Sequence, residues 1–355
     1  MDTVCDNSPY QLRIRLRVAA LGMLVLCQAL SLGVPLQAQD DYFPLPQRNA
    51  SQFGYPYPPP AADEPGVTLT RRYMLDGYPE LEFNPRPQDE IWLVSTRTIP
   101  NCTQLADTQQ FTCKHPVGTA WNTVPLEQLL DVQQLNSQRA NIVFVHGNRT
   151  SAFWARRRGK MAYQHLIANN PVDLPPVRFI IWSWPSDEVS GSIKDFWKKM
   201  TRSVQDGQLL GQFLGKLDPA QSVTLLTYSM GTQVGFSAVE TAASRAACPP
   251  VDMIAMAPVT DCNWPHNRFQ AELSSQQIGQ LCFFRNPRDI AIRAYKKVCS
   301  LHCHGSFQPG ADLMARLHPH ARQYDVSQGV GCEHNVLGYV TQPQVRCELQ
   351  TILMR

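Results

Sequence analysis

Charge is scarce in this 355-residue chain. Asp, Glu, Lys and Arg make up 17%, and 32 basic against 29 acidic side chains leave a net charge of only +3. With no domain-scale basic excess to neutralise a phosphate backbone, a nucleic-acid binder is excluded. Glycine is thin as well, at 20 residues without a triplet period, and no heptad pattern runs on. Collagen-like and coiled-coil classes fall with those absences. No internal repeat is visible, and no two cysteines stand in a CxxC pair. What the chain does have is a 43% apolar fraction, enough to bury a sizeable core. At about 150 residues per domain the length suggests two domains, although α/β folds often use the same length as one.

The first 39 residues read as an export signal. Arg13, Arg15 and Arg17 precede an apolar run over residues 18–36, which Gln28, Ser31, Gly33 and Pro35 weaken as a permanent span. Cleavage after Ala38 is expected, against the large Leu36 at the −3 position, and an uncleaved membrane anchor is the competing reading. Cys27 lacks the small preceding residue of a lipoprotein signal. Residues 40–66, with Tyr-Pro-Tyr-Pro-Pro-Pro, read as a proline-rich, extended or disordered linker. The folded domain is therefore expected over residues 67–355.

Cysteine usage agrees with an oxidising compartment. Of 11 cysteines, Cys5 and Cys27 lie in the leader. Cys102 and Cys113 are expected to form a local bridge; Cys248 with Cys262, and pairs among Cys299, Cys303, Cys332 and Cys347, are further candidates. Cys282, inside an apolar run, reads as the odd buried thiol. Zinc is the rival use for Cys299, His302, Cys303, His304, His318 and His320, but their spacing matches no CxxC site, so no metal is expected.

Between residues 67 and 135 come short strand-like pieces such as Ile91-Trp92-Leu93-Val94-Ser95, expected as the antiparallel edge of a larger sheet. Beyond residue 140 apolar runs at 142–145, 179–182, 223–226, 253–256 and 281–284 read as buried strands. They alternate with helical patterns at 152–169, 192–217, 231–246 and 290–299. In the second of these, Ile193, Phe196, Trp197, Met200, Val204, Leu209, Leu210, Phe213 and Leu214 share one stripe. Helices alternating with continuously apolar strands mean a parallel sheet covered on both faces, with every strand's carboxyl end on one edge.

Three strand ends carry the chemistry. Val223-Thr-Leu-Leu-Thr-Tyr-Ser229-Met230-Gly231 runs from a strand straight into a helix. Such a turn lifts the Ser229 hydroxyl clear of the sheet and aims the helix N-terminus at any oxyanion formed there. A plain serine N-cap is the bland alternative. Val145-His146-Gly147-Asn148 ends another strand; its Asn148 backbone N–H is a candidate second oxyanion donor beside that of Met230, or else Gly147 merely permits a turn. Trp182-Ser-Trp184-Pro185-Ser186 ends a third, with Trp184 as a candidate pocket wall.

In these motifs the chain resembles the α/β-hydrolase superfamily, and within it a bacterial esterase/lipase-like branch long labelled a domain of unknown function. Phe-Val-His-Gly, Trp-Pro-Ser and Ser-Met-Gly recur there in this order, and the likeness spans roughly residues 90–345. The resemblance implies the hydrolase fold, a mostly parallel sheet with helices on both faces, and a serine nucleophile. Two positions depart from it. Thr227 replaces the elbow's first glycine and is expected to crowd the turn, and Tyr228 stands where histidine is common.

A serine hydroxyl is not ionised at neutral pH and needs a base, which in turn needs a carboxylate to fix its tautomer. The resemblance places the acid at Asp289, which could otherwise cap the helix beginning at Ile290; Asp261 is the substitute. The base is read as His334, in the loop after the last strand at about 322–326. His318 and His320 precede that strand, and His302 and His304 fall in the cysteine-rich excursion. Arg156-Arg157-Arg158-Gly-Lys160 invites an anionic substrate, but a solvated helix face is the simpler reading. Asn49, Asn101 and Asn148 head glycosylation sequons, which a bacterial host leaves empty. The expectation is an exported serine esterase without metal or organic cofactor, acting on a small-molecule or lipid acyl ester. Its N-terminus offers membrane association; the alternative is a non-catalytic hydrolase-fold scaffold in the envelope.

Overall fold

A computed structural model describes residues 83–99, 111–117, 120–131, 139–189, 192–243, 249–259, 278–299 and 321–355. All of these fall within one compact unit, Leu81–Arg355. The expected leader and linker lie outside the described residues. So do Asp261, His302, His304, His318, His320 and Cys5, Cys27, Cys102, Cys248, Cys262 and Cys303. Among the described residues no His/Cys/Asp/Glu group is arranged to hold a metal, and no helix is long and apolar enough to cross a membrane.

Nine strands form one sheet: β1 (Glu90–Ser95), β2 (Thr112–Val117), β3 (Ala120–Val124), β4 (Ala140–Val145), β5 (Val177–Ser183), β6 (Val223–Tyr228), β7 (Val251–Met256), β8 (Ile278–Arg285) and β9 (Ala321–Asp325). Their order is β3-β2-β1-β5-β4-β6-β7-β8-β9. Every residue of β5, β6 and β7 is buried, as continuously apolar strands covered on both faces must be. The expected antiparallel edge is β2–β3. Ile91–Ser95 itself corrects the reading, because β1 pairs parallel with β5 through Ile91↔Phe179 and antiparallel only with β2.

The helices are α1 (Leu126–Leu130), α2 (Ala152–Tyr163), α3 (Ser192–Leu214), α4 (Gly231–Ala243), α5 (Ile290–Cys299), α6 (Ser327–Val330), α7 (Val336–Val340) and α8 (Pro343–Leu353), with α2 continuing into a π turn over Gln164–Ala168. One layer joins α3 to α4, and α2, α7 and α8 form another. On α3 the stripe buries Phe196, Leu209, Leu210, Phe213 and Leu214, whereas Trp197 is 48% exposed. One residue beyond Phe196 is a turn of about 100°, which carries Trp197 off the core face.

Strand order fixes where a ligand can sit. The chain passes from β4 to β5 on one side, then crosses back to β6 on the other. This reversal opens a crevice at the carboxyl ends of β4 and β6, the usual binding position on such sheets.

The expected Cys102–Cys113 bridge is not formed. Cys113 lies within β2, wholly buried as a free thiol, and burial pushes its pKa up to about 12. Cys332 and Cys347 are free too, which removes both from the pairings considered. Cys282 is the buried free thiol expected, with its S–H donating to Glu348 Oε2 at 3.4 Å.

Candidate active site

The turn from β6 into α4 puts Ser229 at φ +54°, a left-handed conformation that a non-glycine residue holds only when its surroundings fix it. Ser229 N–H donates to Met256 O at 2.9 Å, and Ser229 C=O accepts from Thr232 N and Val259 N. The β4 turn nests against it. A Cβ added at Gly147 would lie 2.8 Å from Ser229 Cβ, and one at Gly231 would lie 2.4 Å from Val145 O. Glycine at both positions lets the two strand ends touch.

Three side chains distant in sequence meet at this point. Ser229 Oγ lies 2.8 Å from His334 Nε2, and His334 Nδ1 lies 2.7 Å from Asp289 Oδ2. A carboxylate can only accept, so Nδ1 carries the proton and Nε2 is left to accept from the serine hydroxyl. Asp289 is fully buried while His334 keeps 20% exposure. The alternatives for Asp289 are not exclusive: Oδ1 caps α5 by accepting from Ile292 N at 3.1 Å, which leaves Oδ2 fixed toward the imidazole. Tyr339 O–H donates to the same Oδ2 at 3.1 Å. The loop bearing His334 is tied to the acid's turn by Ile290 N–H to Cys332 O and Asn286 Nδ2 to Gly331 O.

The comparison with family models gives a match. Residues 127–309, just over half of the chain, match the family described as "Alpha/beta hydrolase of unknown function (DUF900)". The chain belongs to that family. No curated protein matches it. A solved structure described as the products of the gene lin2722 from Listeria innocua is similar at 11% identity and a TM-score of 0.34, covering 59% of this chain and 92% of its own.

Within this hydrolase the anticipated crowding at Thr227 does not arise, because the space is taken from the helix instead. A Cβ at Gly235 would lie 2.7 Å from Thr227 Cγ2, so a missing side chain in α4 seats the extra one in β6. The Thr227 hydroxyl reaches Thr232 Oγ1 at 3.3 Å and Ile254 O at 3.4 Å. Tyr228 sits with its ring 5.2 Å from that of His334 and 6.0 Å from that of Tyr339. Burial, followed by the Asp289 charge, pushes its phenol well above the ordinary tyrosine range. The base is thus flanked by a neutral aromatic wall.

Among the described residues, the backbone N–H groups of Met230 and Asn148 donate to no other group. The turn carrying Asn148 is heavily braced. His146 is fully buried, its Nδ1 2.9 Å from Gly147 O and its Nε2 3.4 Å from Arg97 Nη2. Arg97 can only donate, so Nε2 accepts and Nδ1–H donates to the Gly147 carbonyl. Burial, reinforced by Arg97, pushes the His146 pKa well below the ordinary range. Ser186 Oγ stands 3.1 Å from the same carbonyl and accepts from Thr150 N at 3.3 Å. Bonds to the C=O of the Gly147–Asn148 peptide hold its N–H in one direction and polarise it.

Trp184 corrects its reading as a pocket wall. It is fully buried, stacked on His146 with centroids 5.7 Å apart, and its Nε1–H donates to His146 O at 2.8 Å. The Trp-Pro-Ser and His-Gly motifs therefore occur together because one clamps the other.

The basic run on α2 is only partly solvated. Arg157 lies over the Trp154 ring and Lys160 over Phe83. Arg158 turns inward, with Nη1 donating to Thr150 Oγ1 at 2.6 Å, and burial lowers its pKa. Sequence reasoning missed Arg97, Tyr339 and Asp195. Asp195 Oδ2 accepts from Asn148 Nδ2 at 3.0 Å and Arg149 Nε at 3.2 Å, holding a turn in which Arg149 has φ +49°. An arginine two residues past the apolar strand β1 was the available signal for Arg97; Asp195 and Tyr339 had none.

Proposed function

We propose that this protein is an exported serine hydrolase that cleaves an acyl ester through Ser229, His334 and Asp289. The observation that carries this reading is the continuous hydrogen-bonded chain, 2.8 Å then 2.7 Å, ending at a strained serine beside two unengaged backbone donors. Ser229 Oγ attacks the ester carbonyl as His334 Nε2 takes its proton, and Asp289 stabilises the imidazolium formed. The carbonyl oxygen becomes an oxyanion held by the N–H groups of Met230 and Asn148. Collapse expels the alcohol, which receives the proton from His334 and leaves an acyl-serine. Water, deprotonated by the same imidazole, then releases the acid and restores the serine. No step calls on a cofactor.

The leader supports placement outside the cytoplasm: Arg13, Arg15 and Arg17 followed by the apolar residues 18–36. A small-molecule or lipid ester is the substrate class, with membrane association through the N-terminus. The scaffold alternative drew on Thr227 and on the absence of a diagnostic substrate pocket; the seat of Thr227 against Gly235 answers the first, and the labelling experiment decides the second. A fluorophosphonate probe tests the proposal. The wild-type chain is expected to be labelled and the folded Ser229→Ala variant not; labelling of both alike, or of neither, refutes it.

A further inference from the structure

A second concavity of about 560 Å³ lies on the same edge of the sheet, between the segment after β1 and the first half of α3. That volume is in the range of small-ligand sites, roughly 300–1,000 Å³. Its walls include Arg97, Lys198, Lys199 and Arg202, and no carboxylate among the described residues lines it. Two of these walls carry their own acids, since Asp206 accepts from Arg202 and Thr96 and Asp187 from Arg97, while Asp195 accepts from Asn148, Arg149 and Val189. That leaves Lys198 and Lys199 as the cavity's cations without an ion pair among the described residues.

Lys199 is the telling residue. Only 6% exposed, its ammonium makes no hydrogen bond or ion pair among the described residues. Burial pushes its pKa down, with Lys198 and Arg97 acting in the same direction against Asp195 and Asp187. The stem of Lys199 is packed while its ammonium, lining the cavity, has no protein acceptor among those residues, and an anion in the cavity would supply one. Lys199 has three N–H groups to offer, and Lys198 adds positive charge from the same wall, while Arg97 and Arg202 are held in ion pairs on either side. The near wall also touches the oxyanion turn, because Arg97 Nη2 donates to Thr150 O at 2.7 Å.

We propose that this cavity is an anion subsite that binds a phosphate-class oxyanion on Lys199, between Arg97 and Arg202. The oxyanion is either the anionic group of the ester being cleaved or a free inorganic anion. The first source rests on the serine-hydrolase reading; binding itself does not. Titration calorimetry with inorganic phosphate on the full chain tests the site. Wild type and Ser229→Ala are expected to bind alike, Lys199→Met about tenfold more weakly or worse, and Lys199→Arg to recover binding. Should the Met variant not fold, Lys199→Gln takes its place. A matched pair, 1-acylglycerol and 1-acylglycerol 3-phosphate, separates the sources. A wild-type kcat/KM preference for the phosphate ester that Lys199→Met loses assigns the anion to the substrate. Phosphate binding without that preference assigns a free anion. Absence of both phosphate binding and preference, or Lys199→Met binding phosphate as tightly as wild type, overturns the proposal. If neither ester is turned over, the fluorophosphonate probe decides the catalytic reading and the calorimetry still decides the cavity.

Discussion

Asp289→Asn tests the proton bookkeeping of the site, because the structure dictates how the new amide must lie. Asp289 Oδ1 accepts from Ile292 N–H at the start of α5, and only an oxygen can occupy that position. The amide NH₂ must therefore replace Oδ2, facing His334 Nδ1 at 2.7 Å and the Tyr339 hydroxyl at 3.1 Å. A donor opposite Nδ1 favours the imidazole tautomer with its proton on Nε2, which then points at Ser229 Oγ and cannot accept from it. The helix cap survives, so the fold should survive. The comparable change in a serine protease triad lowers kcat by about 10⁴, equivalent to roughly 5.5 kcal/mol of transition-state stabilisation. Steady-state hydrolysis of a chromogenic ester, beside a thermal melt, measures both quantities. A folded variant retaining kcat within tenfold of wild type would mean that the tautomer argument is wrong.

Three further predictions concern the scaffold around the serine. Gly235→Ala pushes a methyl to within 2.7 Å of Thr227 Cγ2 and should destabilise the chain, and Thr227→Gly should relieve it. A double-mutant cycle by urea denaturation is expected to show coupling of about 0.5–3 kcal/mol, and strict additivity would contradict the seat described. Gly147→Ala meets Ser229 Cβ at 2.8 Å and should displace the Asn148 donor, lowering kcat by about 10²–10³ in a chain that still folds; unchanged turnover would show that this contact is not critical. His146 has a lowered pKa when folded, so below about pH 6.5 the unfolded chain binds a proton that the native chain refuses. Stability should be full above that pH and fall as the pH drops. Denaturant midpoints at pH 5 and pH 7.5 should differ less in His146→Gln, and an unaltered difference would acquit this residue.

Much of the architecture was legible in the sequence because buried parallel strands are written as unbroken apolar runs. Every run assigned after residue 140 lies within an observed strand, and Ser229, Asp289 and His334 come together as chain order required. Pairing partners were less legible. Nothing in Ile91–Ser95 distinguishes a parallel neighbour from an antiparallel one, since the same pleat serves both. The Cys113 thiol misled because sequence spacing says nothing of a side chain turned into a core. Trp184 misled because an aromatic at a strand end can clamp a turn as well as wall a pocket. Braces such as Asp195 to Asn148 join residues 47 positions apart through no local pattern. Only the packed chain shows them.

The central claim is that Ser229 carries the acyl group during turnover. Rapid quenching of the enzyme with a slowly deacylating chromogenic ester, followed by peptide mass mapping, reads that group directly. The account predicts a burst of chromophore near one equivalent and the acyl mass on the peptide holding Ser229. Turnover without an acyl adduct on Ser229, or an adduct on another residue, contradicts it.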